Sequence, residues 1–262
     1  MSNIQYLIKF GERKYMERLA AGYLYFSNAV KLREHETKLK TKGQGDRLEG
    51  ASQIFAQNIT MQSLENPHIT IKLKQADIIT LQYASAEKIP VFCLFSCMEK
   101  DCVEVTATAS KIVLDKTIKE DISSHFKKAD TAVIIHNPPG FIKDIETAFN
   151  GTCMMNPVNY FHVEGFPTED GRRSLDGAYV EYLTQDTPPG EVNGSQISIG
   201  SDYAYRSLLC KDVFFANEQE FRLILPEQKI EEPNEFFVSY AETKTSVVSL
   251  SDLFNDKVII TC

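Results

Sequence analysis

Two carboxylates separated by a single residue, Glu218-Gln219-Glu220, stand at the mouth of the apolar run Leu223-Ile224-Leu225, with Arg222 two residues further on. Side chains at i and i+2 of an extended chain share a face. Glu218, Glu220 and Arg222 are therefore expected on one side of a strand, and Gln219, Phe221 and Leu223 on the other. Carboxylates about 7 Å apart along such an edge, with a cation beside them, can stabilise a positively charged transition state, hold a metal, or divide the work of acid and base. A solvated ladder of ion pairs on an exposed strand is the competing explanation and the commoner use of such spacing.

An edge of that kind needs a scaffold. At 262 residues, 43% hydrophobic and 24% charged, the chain is long enough to bury a core as one α+β domain, and its composition is not that of a disordered, fibrous or membrane protein. No apolar stretch is long enough to span a bilayer, and Met1-Ser2-Asn3-Ile4-Gln5 lacks the basic start and apolar core of a signal peptide, so a cytoplasmic protein without membrane partners is expected. A net charge of −8 speaks against general nucleic-acid coating, which needs clustered Lys and Arg. The best basic island, Lys31, Arg33, Lys38, Lys40, Lys42 and Arg47, reads first as a solvated mobile loop and second as a polyanion contact. Cys93, Cys97 and Cys102 have no second cluster and no nearby His, so the cysteines read as reduced, mostly buried thiols and no metal site is assigned.

The pattern along the chain opens as strand, helix, strand. Ile4 to Phe10 is a buried strand, Glu12 to Ala21 a helix with Tyr15, Met16 and Leu19 at helical spacing, Gly22 its stop, and Tyr23 to Phe26 a short aromatic strand that leads into Ser27 and Asn28. From Lys38 to Gly50 the glycines on either side of Asp46 and Glu49 mark a loop with functional potential. Strands are expected over residues 54–61, 68–74 and 78–83, and Pro90 to Ser96 has the continuous apolar character of a central strand ending in a hydroxyl. Helices are expected at 116–127 and 141–149, a strand at 132–136, and a turn at Asn137-Pro138-Pro139-Gly140. Residues 165–200 read as a loop-rich insertion around one strand, 178–183, and the last third as strands at 214–225, 236–240, 247–253 and 258–261.

Four of these pieces, in order, carry a resemblance. The N-terminal strand-helix-Gly-strand unit, the GDxxEG loop from Gly45 to Gly50, the apolar strand ending Phe95-Ser96 and the FxxExEFR segment from Phe215 to Arg222 look like a widespread bacterial and phage family of uncharacterised proteins. That layout is in turn similar to the ADP-ribosyltransferase superfamily, which implies a split, mostly antiparallel β-sheet with a few flanking helices and NAD held in a cleft as substrate. In the arginine-specific branch Lys9 falls where the superfamily has Arg, Ser96 where it has the first Ser of Ser-Thr-Ser, and Glu218 and Glu220 on its ExE pair. Here Ser96 is followed by Cys97 and Met98, and a Lys replaces the bidentate Arg.

The resemblance implies that Glu220 stabilises the oxocarbenium-like ribose, Glu218 activates an acceptor on an unknown macromolecule or host protein, and Ser96 supports the ribose or Glu220. It also implies NAD-binding roles for Lys9, Tyr25, Ser27, Asn28, Asp46, Glu49 and Arg222, with Tyr23 and Phe26 as further stacking candidates. Two other readings are a Mg²⁺-dependent nuclease with Asp46, Glu49, Glu218 and Glu220 as oxygen ligands, and a non-catalytic nucleotide- or protein-binding protein, such as a phage inhibitor of host defence.

Overall fold

A computed structural model describes residues 3–39, 48–54, 59–62, 66, 68–73, 79–169, 173–174, 176–185 and 201–261. Its organising element is a six-stranded, wholly antiparallel sheet formed by β1 (Ile4–Gly11), β2 (Val91–Met98), β3 (Thr131–Ile135), β4 (Met154–Pro157), β5 (Glu220–Ile224) and β6 (Thr245–Ser249), in the spatial order β4-β5-β2-β1-β3-β6. With a few flanking helices and several two- and three-stranded ribbons, the class is α+β. Among the described residues no helix is long and apolar enough to cross a membrane.

The central strands are apolar on both sides because both faces of the sheet are covered. Register assigns the faces, since residues directly opposite in an antiparallel pair share one. Leu7 lies opposite Ser96 and Ile135, and Phe221 opposite Leu94. This first face, with Phe92, Val133 and Leu223, packs on Leu24 and Phe26 of the strand Tyr23–Phe26 and on Phe141, Ile145 and Phe149 at the helix Pro138–Ala148. Each fully buried Leu or Phe there contributes about 1.5–3 kcal/mol over its exposed state. The second face splits into two apolar patches. Ile8, Phe10, Phe95 and Ile134 meet Ile112, Ile118, Ile122 and Leu253, whereas Val91 and Ile224 meet Ala29, Ala86 and Leu208.

Several elements depart from the periodicity reading. Residues 178–183 are not a strand but part of the helix Gly177–Thr184, capped by the Asp176 carboxylate on the Ala178 N–H, with Tyr179 and Tyr182 stacked at helical spacing on Phe161. Asn137 to Gly140 is not a free turn, because Pro138 and Pro139 open a helix, where a missing N–H costs nothing. Part of the basic island forms the helix Ala29–Leu39 rather than a mobile loop, and Lys31 pairs with Glu34 and Glu232 while Arg33 pairs with Glu87. Those pairs reduce its appeal as a polyanion site. The run 214–225 is also divided, with a 3₁₀ helix at Val213–Glu218, Gln219 in the left-handed region at φ 40°, and the strand only from Glu220.

The stop at Gly22 is a backbone requirement. Its φ is +94°, and a Cβ would stand 2.2 Å from the Val238 carbonyl oxygen. We expect Gly22→Ala to destabilise the protein by well over about 2 kcal/mol in urea unfolding, and Gly151→Ala, at φ +73° with open space around it, by only about 1–2 kcal/mol. Equal effects would mean that strain alone, and not the Val238 contact, sets the stop.

Candidate functional site

Arg222 is the largest fully buried side chain of the structure, and a buried guanidinium demands compensation. It lies opposite Cys93 on β2 and Asn156 on β4, on the second face of the sheet between the two apolar patches. Glu49 meets it bidentately, Nη1 donating to Oε1 at 2.5 Å and Nη2 to Oε2 at 2.8 Å. Glu220, two residues away on the same face of β5, accepts from Nε at 3.0 Å and Nη2 at 3.1 Å, and the Leu208 carbonyl accepts from Nη1. Lys211 then joins Glu220 at 3.0 Å to Glu218 at 2.6 Å. The result is a chain of alternating charge, Glu49, Arg222, Glu220, Lys211, Glu218.

Burial opposes ionisation of Glu220, but Arg222 and Lys211 outweigh it and hold this carboxyl well below the usual carboxylate range. For Glu218 burial prevails: with the Glu220 charge added, it raises the carboxyl above its ordinary value despite Lys211. Charge counting gives the same sense, because three carboxylates against two cations leave one excess negative charge that protonation of Glu218 removes. Burial, reinforced by the Glu220 charge, pushes the neighbouring Cys93 thiol up to about 12. Lys211 stays charged because Glu220 and Glu218 outweigh its desolvation.

Local structure explains the assembly. Lys211 belongs to the strand Cys210–Asp212, which pairs in parallel with Asn159–Phe161 and places Tyr160 opposite Lys211; the Tyr160 hydroxyl accepts the Glu220 N–H at 2.8 Å. Asp212 caps the 3₁₀ helix, accepting from the Phe214 N–H, and that helix folds Glu218 back towards Lys211. Glu218 and Glu220 are therefore joined through a lysine and not by sharing a strand face.

The remaining candidates are dispersed. Lys9 and Ser96 are on the first face of the sheet, opposite to Glu220 and Arg222. The Lys9 ammonium donates to the Cys93 carbonyl at 2.6 Å and lies over the Phe92 ring. Tyr25 is exposed, because its neighbours Leu24 and Phe26 are the residues that turn inward. Tyr23 carries the Arg18 guanidinium 4.4 Å from its ring centroid. Ser27 pairs through its backbone with Val91, and buried Asn28 accepts from the Lys31 N–H while donating to the Ile230 carbonyl, so it holds the start of a helix. Asp46 lies outside the described residues. A single cleft containing Lys9, Ser96, Tyr25 and the ExE pair is not formed. Sequence reasoning reached Glu49, Glu218, Glu220 and Arg222 but missed Lys211 and Tyr160, whose partners depend on a ribbon that no local periodicity announces.

Where β1, β2, β4 and β5 end together, a cavity of about 370 Å³ is lined by Asn3, Ile4, Ser96, Met98, Pro157, Val158, Tyr160, Ala216, Gln219 and Glu220. The Ser96 hydroxyl at its wall is buried and, among the described residues, has no hydrogen-bond partner. The chain matches no protein-family model, and no curated protein or solved structure matches it.

Two expectations follow from these geometries. Arg222→Ala should destabilise the protein by about 3–5 kcal/mol in denaturant unfolding, because it strands buried carboxylates, whereas Ser96→Ala should stay within about 1 kcal/mol of the parent, since it removes a hydroxyl that bonds to nothing. Glu220 contributes stability that is complete above the pKa of an unfolded Glu, near 4.3, and is lost as pH falls through its depressed folded value. Glu218, with its raised value, acts in the opposite sense. Stability of Glu220→Gln measured between about pH 5 and pH 3 should accordingly fall less steeply than that of the parent.

Proposed function

We propose that the protein is a non-catalytic nucleotide-binding protein of ADP-ribosyltransferase-like build, which takes the nucleoside end of NAD or a related nucleotide into the cavity beside Ser96. The observation that carries this reading is the buried Ser96 hydroxyl, without a hydrogen-bond partner among the described residues, in the wall of a cavity of about 370 Å³, a volume within the usual range for small-ligand sites. Its lining pairs apolar surface from Ile4, Met98, Pro157, Val158 and Ala216 with the uncharged polar groups of Asn3, Ser96, Tyr160 and Gln219 and with Glu220, whose carboxylate is already engaged by Arg222 and Lys211. No Lys or Arg lines it, so a neutral base and ribose fit better than a pyrophosphate. The family likeness is supported by the adjacency of the three motif strands, β1 with Lys9, β2 with Ser96 and β5 with Glu220, in one antiparallel sheet.

Glu220 supports binding over turnover. Both of its oxygens accept from Arg222, and Lys211 is 3.0 Å away, so its charge is already neutralised by fixed partners. A carboxylate so held has little left to offer a developing oxocarbenium ion. The same engagement of Glu49 and Glu220 weakens the Mg²⁺-nuclease reading, and the described residues contain no group of three or more metal-ligating side chains.

One observation favours ADP-ribosyl transfer or NAD hydrolysis as a second reading. Glu218 is partly exposed and has a raised pKa next to a carboxyl whose pKa is lowered, a separation characteristic of acid and base pairs.

Calorimetric titration with NAD, nicotinamide riboside and adenosine decides between them, alongside an assay for free nicotinamide. We expect saturable binding of at least one probe, weakened about 3–10-fold in Ser96→Ala by loss of one hydrogen bond, and no nicotinamide release. No heat with any probe at millimolar concentration would sink the binding proposal, and nicotinamide released by the parent but not by Glu218→Gln would establish the transfer reading in its place.

A further inference from the structure

We infer that Cys97 and Cys102 form a reversible dithiol–disulfide pair whose oxidation alters the Asp101–Gln219 contact at the rim of the cavity. The two sulfurs are already 3.6 Å apart. Cys97 is the penultimate residue of β2 and is completely buried, while Cys102 opens the strand Cys102–Thr106 and is half-buried; the 3₁₀ turn Glu99–Asp101 separates them. A disulfide has a sulfur separation of about 2.05 Å, so closure requires an approach of about 1.5 Å. Cys97 is held by its pairing with Tyr6 on β1, which places most of that movement on Cys102 and the turn.

The turn is tied to the cavity by one carboxylate. Asp101 Oδ2 accepts from the Met98 N–H at 2.9 Å and from Gln219 Nε2 at 3.2 Å. Ser96, Met98 and Gln219 all line the cavity, and the Ser96 N–H donates to the Gln219 carbonyl at 2.7 Å. Gln219 holds a left-handed backbone at φ 40°, a conformation that a non-glycine residue keeps only when its contacts fix it. Drawing Cys102 towards Cys97 moves Asp101, and the Gln219 amide loses or reorients its partner.

Chemical roles follow from exposure. The hydrogen bond from Cys97 lowers the pKa of Cys102, the more accessible thiol, and so favours its thiolate. With hydrogen peroxide as oxidant, the Cys102 thiolate attacks one peroxide oxygen, the O–O bond breaks, and the departing hydroxide is protonated to water, leaving a sulfenic acid. Cys97 sulfur then attacks Cys102 sulfur, giving up its thiol proton as the second hydroxide leaves, also as water. Two thiols and one peroxide become one disulfide and two waters, and a dithiol reductant reverses the change.

The test needs no ligand, so its outcome is separate from that of the nucleotide reading. The full chain is treated with one equivalent of hydrogen peroxide, quenched into denaturant with iodoacetamide and digested with trypsin, which cuts after Lys100 between the two cysteines. We expect the two resulting peptides to remain joined until reduced, Cys93 on the same peptide as Cys97 to be alkylated as an internal standard, and the joined species to be lost in Cys97→Ser and in Cys102→Ser. The second readout is the side-chain amide resonance of Gln219, assigned by its disappearance in Gln219→Ala, which should shift on oxidation and return on reduction. Alkylation of both Cys97 and Cys102 after peroxide treatment would overturn the pair, and a disulfide that leaves the Gln219 resonance unmoved would overturn its link to the cavity.

Discussion

A guanidinium taken wholly out of water constrains everything around it. Arg222 points into the interior from β5, and its donors are met by two carboxylates and a carbonyl: Glu220 on the same strand, Leu208 fourteen residues before it and Glu49 from far away in the chain. Each carboxylate brings its own requirement. Glu220 draws in Lys211, which in turn holds Glu218, and Glu49 fixes the segment whose backbone carbonyl also accepts from Arg33. Such an ion chain adds little net stability over a well-packed apolar alternative, since desolvation cancels most of the attraction. Its effect is to tie the Glu49 turn, the Cys210–Asp212 ribbon and the 3₁₀ helix to β5 through one chain of ion pairs.

That constraint divides the sheet by face. The charged chain interrupts the second face between two apolar patches, where its anions are matched by fixed cations. The first face carries the larger apolar cluster, and the cavity beside it is lined by hydroxyl and amide groups, the Glu220 residue and an apolar wall. The cavity and the charged chain meet at Glu220, whose N–H donates to the Tyr160 hydroxyl while its carboxylate accepts from Arg222.

The chemical identity of the edge was legible in the residues alone. Glu49, Glu218, Glu220 and Arg222 could be singled out by type and spacing, and three of them, Glu49, Glu220 and Arg222, form the most buried part of the charged chain. So were β1, β2 and the helix ending at Gly22, because local periodicity and a positive-φ glycine are properties of short windows. Where two windows competed, capping decided: Asp176 made a helix of residues read as a strand, and Asp212 made a 3₁₀ turn of the approach to Glu220. Lys9, Ser96 and Tyr25 were correctly placed on strands, yet the face that each one occupies in the assembled sheet was not readable.

What the sequence determined by itself was the opening strand-helix-strand unit, the central strand through Ser96, the α+β class and the presence of a charged edge on a buried strand, since these depend on the order of side chains within a few residues. Only the tertiary structure decided that Glu218 reaches Glu220 through Lys211, that Lys9 and Ser96 are on the sheet face opposite to that of Glu220 and Arg222, and that Ser96 and Glu220 nonetheless border one cavity at the strand ends. The physical reason is register: a one-residue choice in strand pairing sends a side chain to one side of the sheet or the other, and pairing partners lie scores of residues apart, beyond the reach of any local pattern.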